Sequence, residues 1–237
     1  MTTGDCAMPR KTIVLTFDDA CSSHLSLVVP LLKELGFGAT FFISRPAMWS
    51  DNFPGAFLDG KEISEIYHAG FEIGNHTLNH LDLRSKNPDD SLLELEAIDD
   101  FLAEYGMPKT VSFAYPGGPY AANAVPVLQK YGLRYARTTE HGVWNNATDP
   151  MRIPCYAVCD KDLHFFDEAI NMAENNPEAA AVILYHGIPD DPHPWCSTTV
   201  DHFKSQMKYL KDNDFRVVSM ADFGKILNPE LSTFPIQ

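Results

Sequence analysis

No run in this chain approaches the roughly 20 consecutive apolar residues that a membrane-spanning helix requires. Its opening residues, Met1-Thr2-Thr3-Gly4-Asp5-Cys6, show neither the basic start nor the apolar stretch of a secretory leader. These two absences argue against a membrane partner and make a cytoplasmic setting the default expectation. Basic charge is also scarce. The 18 Lys and Arg stand against 32 Asp and Glu, a formal net charge of −14. That balance disfavours nucleic acid and anionic membranes as partners and leaves neutral ligands such as sugars open. Cysteine is sparse and badly spaced for a framework. Cys6, Cys21, Cys155, Cys159 and Cys196 are odd in number and contain no Cys-x-x-Cys, which argues against paired disulfides and a structural zinc site. Cys155 and Cys159 read instead as reduced, partly buried residues. Internal repeats and low-complexity segments are absent too.

What is present is globular. At 237 residues, 45% hydrophobic and 21% charged, the chain suits one substantial domain, 1–237, with its core at about 12–220. Strands are expected at 12–17, 38–43, 71–74, 110–114, 135–137, 152–158, 180–185 and 216–219. Helices are expected at 25–35 (interrupted by Pro30 and ended by Gly36), 61–69, 91–105, 122–131, 166–175, 200–212 and 222–227. Alternating strands and helices imply an α/β fold with a parallel sheet, and about seven such units suit a barrel as well as an open sheet. The placement of the chemistry favours a distorted (β/α) barrel. Asp18 and Asp19, His76 and His80, Pro116-Gly117-Gly118 and His186 all fall just past the C-terminal ends of different strands. A barrel gathers those ends around one mouth.

Two pairs carry most of that chemistry. His76 and His80 have a spacing that puts two imidazoles on one face of a helical turn, as one metal ion requires. A carboxylate from another strand end completes a two-His-one-carboxylate set. Asp19, His76 and His80 are therefore the expected ligands of one divalent ion, zinc first, with cobalt, nickel or manganese as alternatives. Asp18 would then stand beside the metal as general base. Gly117, lacking a side chain, suits a backbone N–H directed at an oxyanion. His186 is the candidate general acid. With an ordinary pKa near 6.5, it calls for a carboxylate or polar partner on one ring nitrogen to stay protonated. The proline-stiffened loop 187–197 is expected to wall the mouth through Trp195, with His193 either meeting a sugar hydroxyl or lying on the surface. His24, His68, His141, His164 and His202 have no paired spacing and read as surface residues. Asp89 and Asp90 read as the cap of the following helix, and Cys21 as a small core residue rather than a nucleophile.

The same residues carry a family resemblance. Thr16-Phe17-Asp18-Asp19, Gly74-Asn75-His76-Thr77-Leu78-Asn79-His80, Phe113-Ala114-Tyr115-Pro116-Gly117-Gly118 and Leu184-Tyr185-His186 resemble, in order and interval, the motifs of polysaccharide deacetylases with a NodB-like domain, carbohydrate esterase family four. The resemblance implies a distorted barrel, a single divalent metal, and hydrolysis of N- or O-acetyl groups on a carbohydrate. By position it implies Asp18 as base, Asp19, His76 and His80 as metal triad, and His186 as acid. It also implies Thr77 as brace of the metal loop, Gly117 as oxyanion donor and Leu184 as the contact of the acetyl methyl. The pattern departs from the family at several points. Ala20 replaces the usual Gly, and Gly117 replaces an aromatic beside the groove. Ala114 stands where many members have an Arg that orients the base, with Arg137 or Arg152 as substitutes. The Trp-bearing motif has no match, which leaves Trp49, Trp144 and Trp195 as candidates for a sugar-stacking wall. Two other readings stay open: a deacylase for a small N-acyl metabolite, and a non-catalytic sugar-binding protein on the same fold.

Overall fold

The computed structural model describes residues 11–230. Cys6 and the rest of residues 1–10 lie outside the described residues. The first strand, β1 (Thr12–Phe17), is buried at every position. Ile13, Leu15 and Phe17 pack into the layer between sheet and helices, while Val14 belongs to the cluster with Phe42, Ala114, Val182 and Leu184 on the opposite face. With both faces covered, the strand carries apolar residues on both sides, and its buried Thr16 hydroxyl is satisfied by Ile183 O.

The remaining strands are β2 (Thr40–Ile43), β3 (Glu72–Asn75), β4 (Ser112–Ala114), β5 (Tyr135–Arg137), β6 (Tyr156–Ala157), β7 (Ala180–Tyr185) and β8 (Arg216–Val218). They pair in parallel in the order β5-β4-β3-β2-β1-β7-β6. The curled sheet meets itself where Arg137 of β5 bridges Ile153, just ahead of β6. The expected strand 152–158 shrinks to β6 for that reason: Ile153 is committed sideways to β5, and Pro154 has no N–H to continue a ladder. β8 pairs with Thr12 to Val14 of β1, below the point where β2 takes over at Thr16 and Phe17. The result is a distorted (β/α) barrel.

The helices are α1 (Val29–Leu35), α2 (Ala47–Asn52), α3 (Gly60–His68), α4 (Pro88–Glu104), α5 (Val125–Tyr131), α6 (His164–Asn175), α7 (Val200–Asp212) and α8 (Met220–Leu227). A π-helical stretch, His24–Val28, runs into α1, so Pro30 falls in the first α turn, where its missing N–H costs little, and does not interrupt the helix. Asp59 and Glu62 cap α3 reciprocally. At α4 the capping side chain is Asn87, whose Oδ1 accepts the Asp90 N–H at 2.8 Å. Asp89 and Asp90 instead occupy the first turn, where they face the positive end of the helix dipole. α2 was not legible in the sequence, because none of its residues is buried and no apolar period marks it. Among the described residues no helix is long and apolar enough to cross a membrane.

Candidate active site

Four loops at the C-terminal ends of the strands supply the site. The chain leaves β1 by splitting its neighbours apart: the Asp18 N–H bonds Tyr185 O of β7, and the Asp19 N–H bonds Phe42 O of β2. Asp19 and Ala20 then adopt left-handed backbone, with φ of 74° and 52°. Thr77 and His80 do the same after β3, at 59° and 51°. Non-glycine residues with positive φ are uncommon and cost free energy, and here they cluster in the two loops that carry the paired residues.

His76 and His80 do not lie on a helical turn. They flank a strained tight turn at the end of β3, which still brings their ring centroids to 4.8 Å. Thr77 braces this turn: its N–H meets Asn75 Oδ1, its Oγ1 accepts the Leu81 N–H at 2.9 Å, and its carbonyl accepts Ser44 Oγ. A carbonyl only accepts, so the 2.7 Å contact between His76 Nδ1 and Ala114 O places the proton on Nδ1. Nε2 then presents a lone pair to the site. That nitrogen lies 3.7 Å from Asp19 Oδ1, as does His80 Nε2.

Asp19, His76 and His80 fit a divalent cation. Asp19 Oδ1 lies 3.7 Å from the Nε2 of each imidazole, inside the span of about 4.4 Å that two metal–ligand bonds of roughly 2.0–2.2 Å can bridge, and the three residues form one cluster of potential ligands. Asp19 Oδ1 is buried without a hydrogen-bond partner, a costly state for a carboxylate oxygen unless a cation satisfies it. Burial, then the neighbouring charges of Asp18 and Asp190, push the Asp19 carboxyl well above its ordinary range. Burial also lowers His76 to about 4 and His80, with help from His76, to about 3. Both imidazoles are thus neutral at pH 7, the form that binds metal.

Asp18 is held differently. Arg137 Nη2 donates to Asp18 Oδ1 at 2.7 Å and to Oδ2 at 2.6 Å. Burial works to raise the Asp18 carboxyl, but Arg137, followed by His76 and His186, outweighs it and holds the group below its ordinary value. The arginine expected at the base is therefore Arg137. Arg152 forms an exposed pair with Glu140 instead. The register explains the substitution, since Arg137 of β5 pairs directly with Ala114 of β4, and the small Ala114 leaves room for a guanidinium from the next stave.

These groups line a cavity of about 300 Å³ together with Gly117, Gly118, Thr139, Leu184, His186, His193, Trp195 and Cys196. The turn at Tyr115 is closed by the Gly118 N–H on Tyr115 O, not by that of Gly117. Gly117 has φ 68° with only Pro119 near its missing Cβ, so its backbone faces open space. Leu184 is buried against β1 at Thr16. Trp195 is 61% exposed on the rim. Trp49 packs 5.3 Å from the His80 ring, also at the mouth. Trp144 is no wall: it is buried between Tyr135 and Phe223 in the barrel core.

Two histidine expectations need correction. His24 is fully buried, not on the surface; its Nε2 lies 3.1 Å from His186 O, between the Phe17 and Phe41 rings. Burial lowers it to about 4, so it is a neutral prop for the His186 backbone. Among the described residues the His186 ring has a carboxylate at contact distance but no hydrogen bond of the expected kind. Its Nε2 stands 3.8 Å from Asp19 Oδ2, and burial depresses its pKa despite Asp18 and Asp190. The nearby loop acid, Asp190, turns instead to His193, which lines the cavity rather than the surface. Among the described residues Cys21, Cys155, Cys159 and Cys196 are free thiols. Burial, then Asp190, pushes Cys21 far above thiolate range, as expected of a core residue rather than a nucleophile.

The polysaccharide deacetylase family model matches residues 6–136, more than half of the chain. The chain belongs to the polysaccharide deacetylase family. It is 26% identical over 165 residues to a poly-β-1,6-N-acetyl-D-glucosamine N-deacetylase of Staphylococcus aureus, covering 64% of this chain and 56% of that protein. The chain thus spans little more than half the length of the curated relatives it matches. Among solved structures, the Streptococcus pyogenes deacetylase PplD in complex with acetate is 25% identical, with TM-score 0.53 over 59% of this chain and 61% of that one. The chitin deacetylase of Colletotrichum lindemuthianum shares the fold at 16% identity, with TM-score 0.64 over 92% of this chain and 88% of that one.

Proposed function

We propose that this polysaccharide deacetylase homologue is a metal-dependent hydrolase that removes N- or O-acetyl groups from a carbohydrate. The observation that carries the reading is the pair of neighbouring aspartates in opposite states. Asp19 sits unsatisfied among two neutral imidazoles, while Asp18 is held ionised by a buried arginine. A divalent cation held by Asp19, His76 and His80 would act as Lewis acid toward an acyl oxygen and acidify water. The protein's own groups do the rest. Asp18, kept ionised by Arg137, accepts the proton of the attacking water. The Gly117 N–H faces the developing oxyanion, and Leu184 offers an apolar surface to the acetyl methyl. His186, whose Nε2 stands 3.8 Å from Asp19 Oδ2, is the candidate acid for the leaving nitrogen or oxygen, a role that must be filled against the lowering of its pKa by burial. Released acetate, measured on acetylated oligosaccharides with and without chelator, tests this reading. Turnover that survives complete metal removal, or no turnover of any acetylated sugar by metal-loaded protein, would overturn it.

A further inference from the structure

We propose that His193, braced by the buried carboxylate of Asp190, contacts the sugar ring that carries the acyl group and sets specificity for it. The inference rests on the carbohydrate reading of the site and adds to it a contact outside the hydrolytic machinery. Asp190 lies in the loop after His186, with its side chain wholly enclosed. Its Oδ2 accepts the Gly187 N–H at 3.1 Å and the Cys21 thiol at 3.5 Å. Oδ1 accepts the His193 N–H at 2.9 Å and lies 3.4 Å from His193 Nδ1. The Asp190 N–H in turn donates to Ser197 Oγ at 2.9 Å. A buried carboxylate persists only when its neighbours compensate the lost water. Here those neighbours tie together the loop after β1, the loop after β7, and one imidazole ring.

The ring so fixed is confined on three sides. Its centroid lies 5.0 Å from that of Trp49, 5.9 Å from Phe57 and 5.3 Å from Trp195. His193 is only 12% exposed at the side chain, and that part lines the cavity shared with Asp18 and His186. Nδ1 is turned to Asp190 at contact distance, enclosed and without a hydrogen bond of its own, so Nε2 on the other edge of the ring is the atom assigned to a ligand. Beside it, Trp195 leaves a broad aromatic face open to solvent. The flank at Gly117 and Gly118 offers backbone and the Thr139 side chain.

The ligand chemistry follows from this pairing. A pyranose ring presents an apolar C–H face to an indole and a hydroxyl to an imidazole in the same plane. An anionic group fits less well, because Asp18 and Asp19 already occupy the cavity floor and the chain carries a net charge of −14. Asp190 is a positioning residue in this scheme, acting only through His193.

The test compares an N-acetylglucosamine oligosaccharide with 4-nitrophenyl acetate, which bears the acyl group without the sugar. His193→Ala should raise KM for the sugar by about ten- to a hundredfold, as loss of one well-placed hydrogen bond does. The fall in kcat should be smaller, and the loss on the aryl ester several-fold smaller again. His193→Gln, which keeps a donor, should recover part of the KM. Asp190→Asn should move KM in the same direction. If that variant does not fold, the two His193 variants decide alone. Equal losses on both substrates, or an unchanged sugar KM, would overturn the inference while leaving the hydrolytic reading intact. Metal-loaded wild-type protein that releases acetate from no N- or O-acetylated sugar would overturn both.

Discussion

Strand β3 carries a demanding side chain at each end, and the protein treats the two ends in opposite ways. At the lower end Glu72 is fully provided for. Ser112 Oγ donates to Oε1, while Thr40 Oγ1 and the Ala221 N–H donate to Oε2 at 2.7 and 2.9 Å. One carboxylate thereby stitches β2, β4 and α8 to β3, and no donor is left to spare. At the upper end, past Asn75, His76 meets Asp19, whose Oδ1 has no partner among the described residues. Satisfied burial marks the end that holds the barrel together, and unsatisfied burial marks the end that binds something. Most of the strained backbone follows the same division: Asp19, Ala20, Thr77 and His80, with positive φ, belong to the upper end, while Asp214, at 55°, lies in the turn before β8.

The sharpest way to break this comparison is to remove a group from each end. His76→Ala or Asp19→Ala should abolish stoichiometric zinc binding, measured by elemental analysis, and reduce deacetylation to background while the far-UV circular dichroism persists. Retained metal in both variants would show that the site lies elsewhere. Asp18→Asn should keep the metal and lose on the order of 10²–10⁴-fold in kcat, the usual contribution of a general base. Metal loss in that variant would exchange the roles of Asp18 and Asp19. Arg137→Ala leaves the enclosed Asp18 charge without its partner. It should cost about 3–5 kcal/mol of stability in denaturant unfolding, and a cost near zero would mean that solvent or metal already compensates Asp18.

The lower end should respond in stability alone. Glu72→Ala strands two hydroxyls and an N–H and should cost about 1–3 kcal/mol, with KM and metal content unchanged. The smallest effect is a pH dependence. Burial, only partly offset by the Ala221, Ser112 and Thr40 hydrogen bonds, raises the Glu72 carboxyl above its ordinary 4.5. Its contribution is complete below that ordinary value and declines as pH rises through the higher folded value. Relative to Glu72→Gln, which cannot ionise, the wild type should lose stability as pH rises above the carboxyl's ordinary value of 4.5. A difference that stays flat with pH would mean that the three donors fully offset burial.

Local signals made the frame of the molecule legible. The largely apolar runs at 12–17 and 180–185 define β1 and β7, the longest strands among the described residues, because a strand covered on both faces needs no polar alternation. The Asp pair and the His pair were visible as chemistry just past strand ends, and parallel topology alone brings such ends together. What the His pair actually adopts was not visible. A spacing of four suits a helical turn, yet the same reach is achieved by a left-handed turn whose strain is held by Asn75, Ser44 and Leu81.

By itself, then, the sequence determined the parallel α/β framework and the chemical identity of the groups at its mouth, since both depend on pattern over a few residues. The tertiary structure alone decided which distant groups complete them. Arg137 reaches Asp18 across 119 positions of chain only because β5 pairs with β4 in the register that sets it opposite Ala114. His24 props His186 only because the turn after β1 folds beneath the end of β7. Trp144 fills the barrel, and Asp190 turns toward His193 rather than His186, through packing between segments far apart in the chain. Such contacts leave no periodicity behind them, for they arise where strand register and side-chain volume meet in three dimensions.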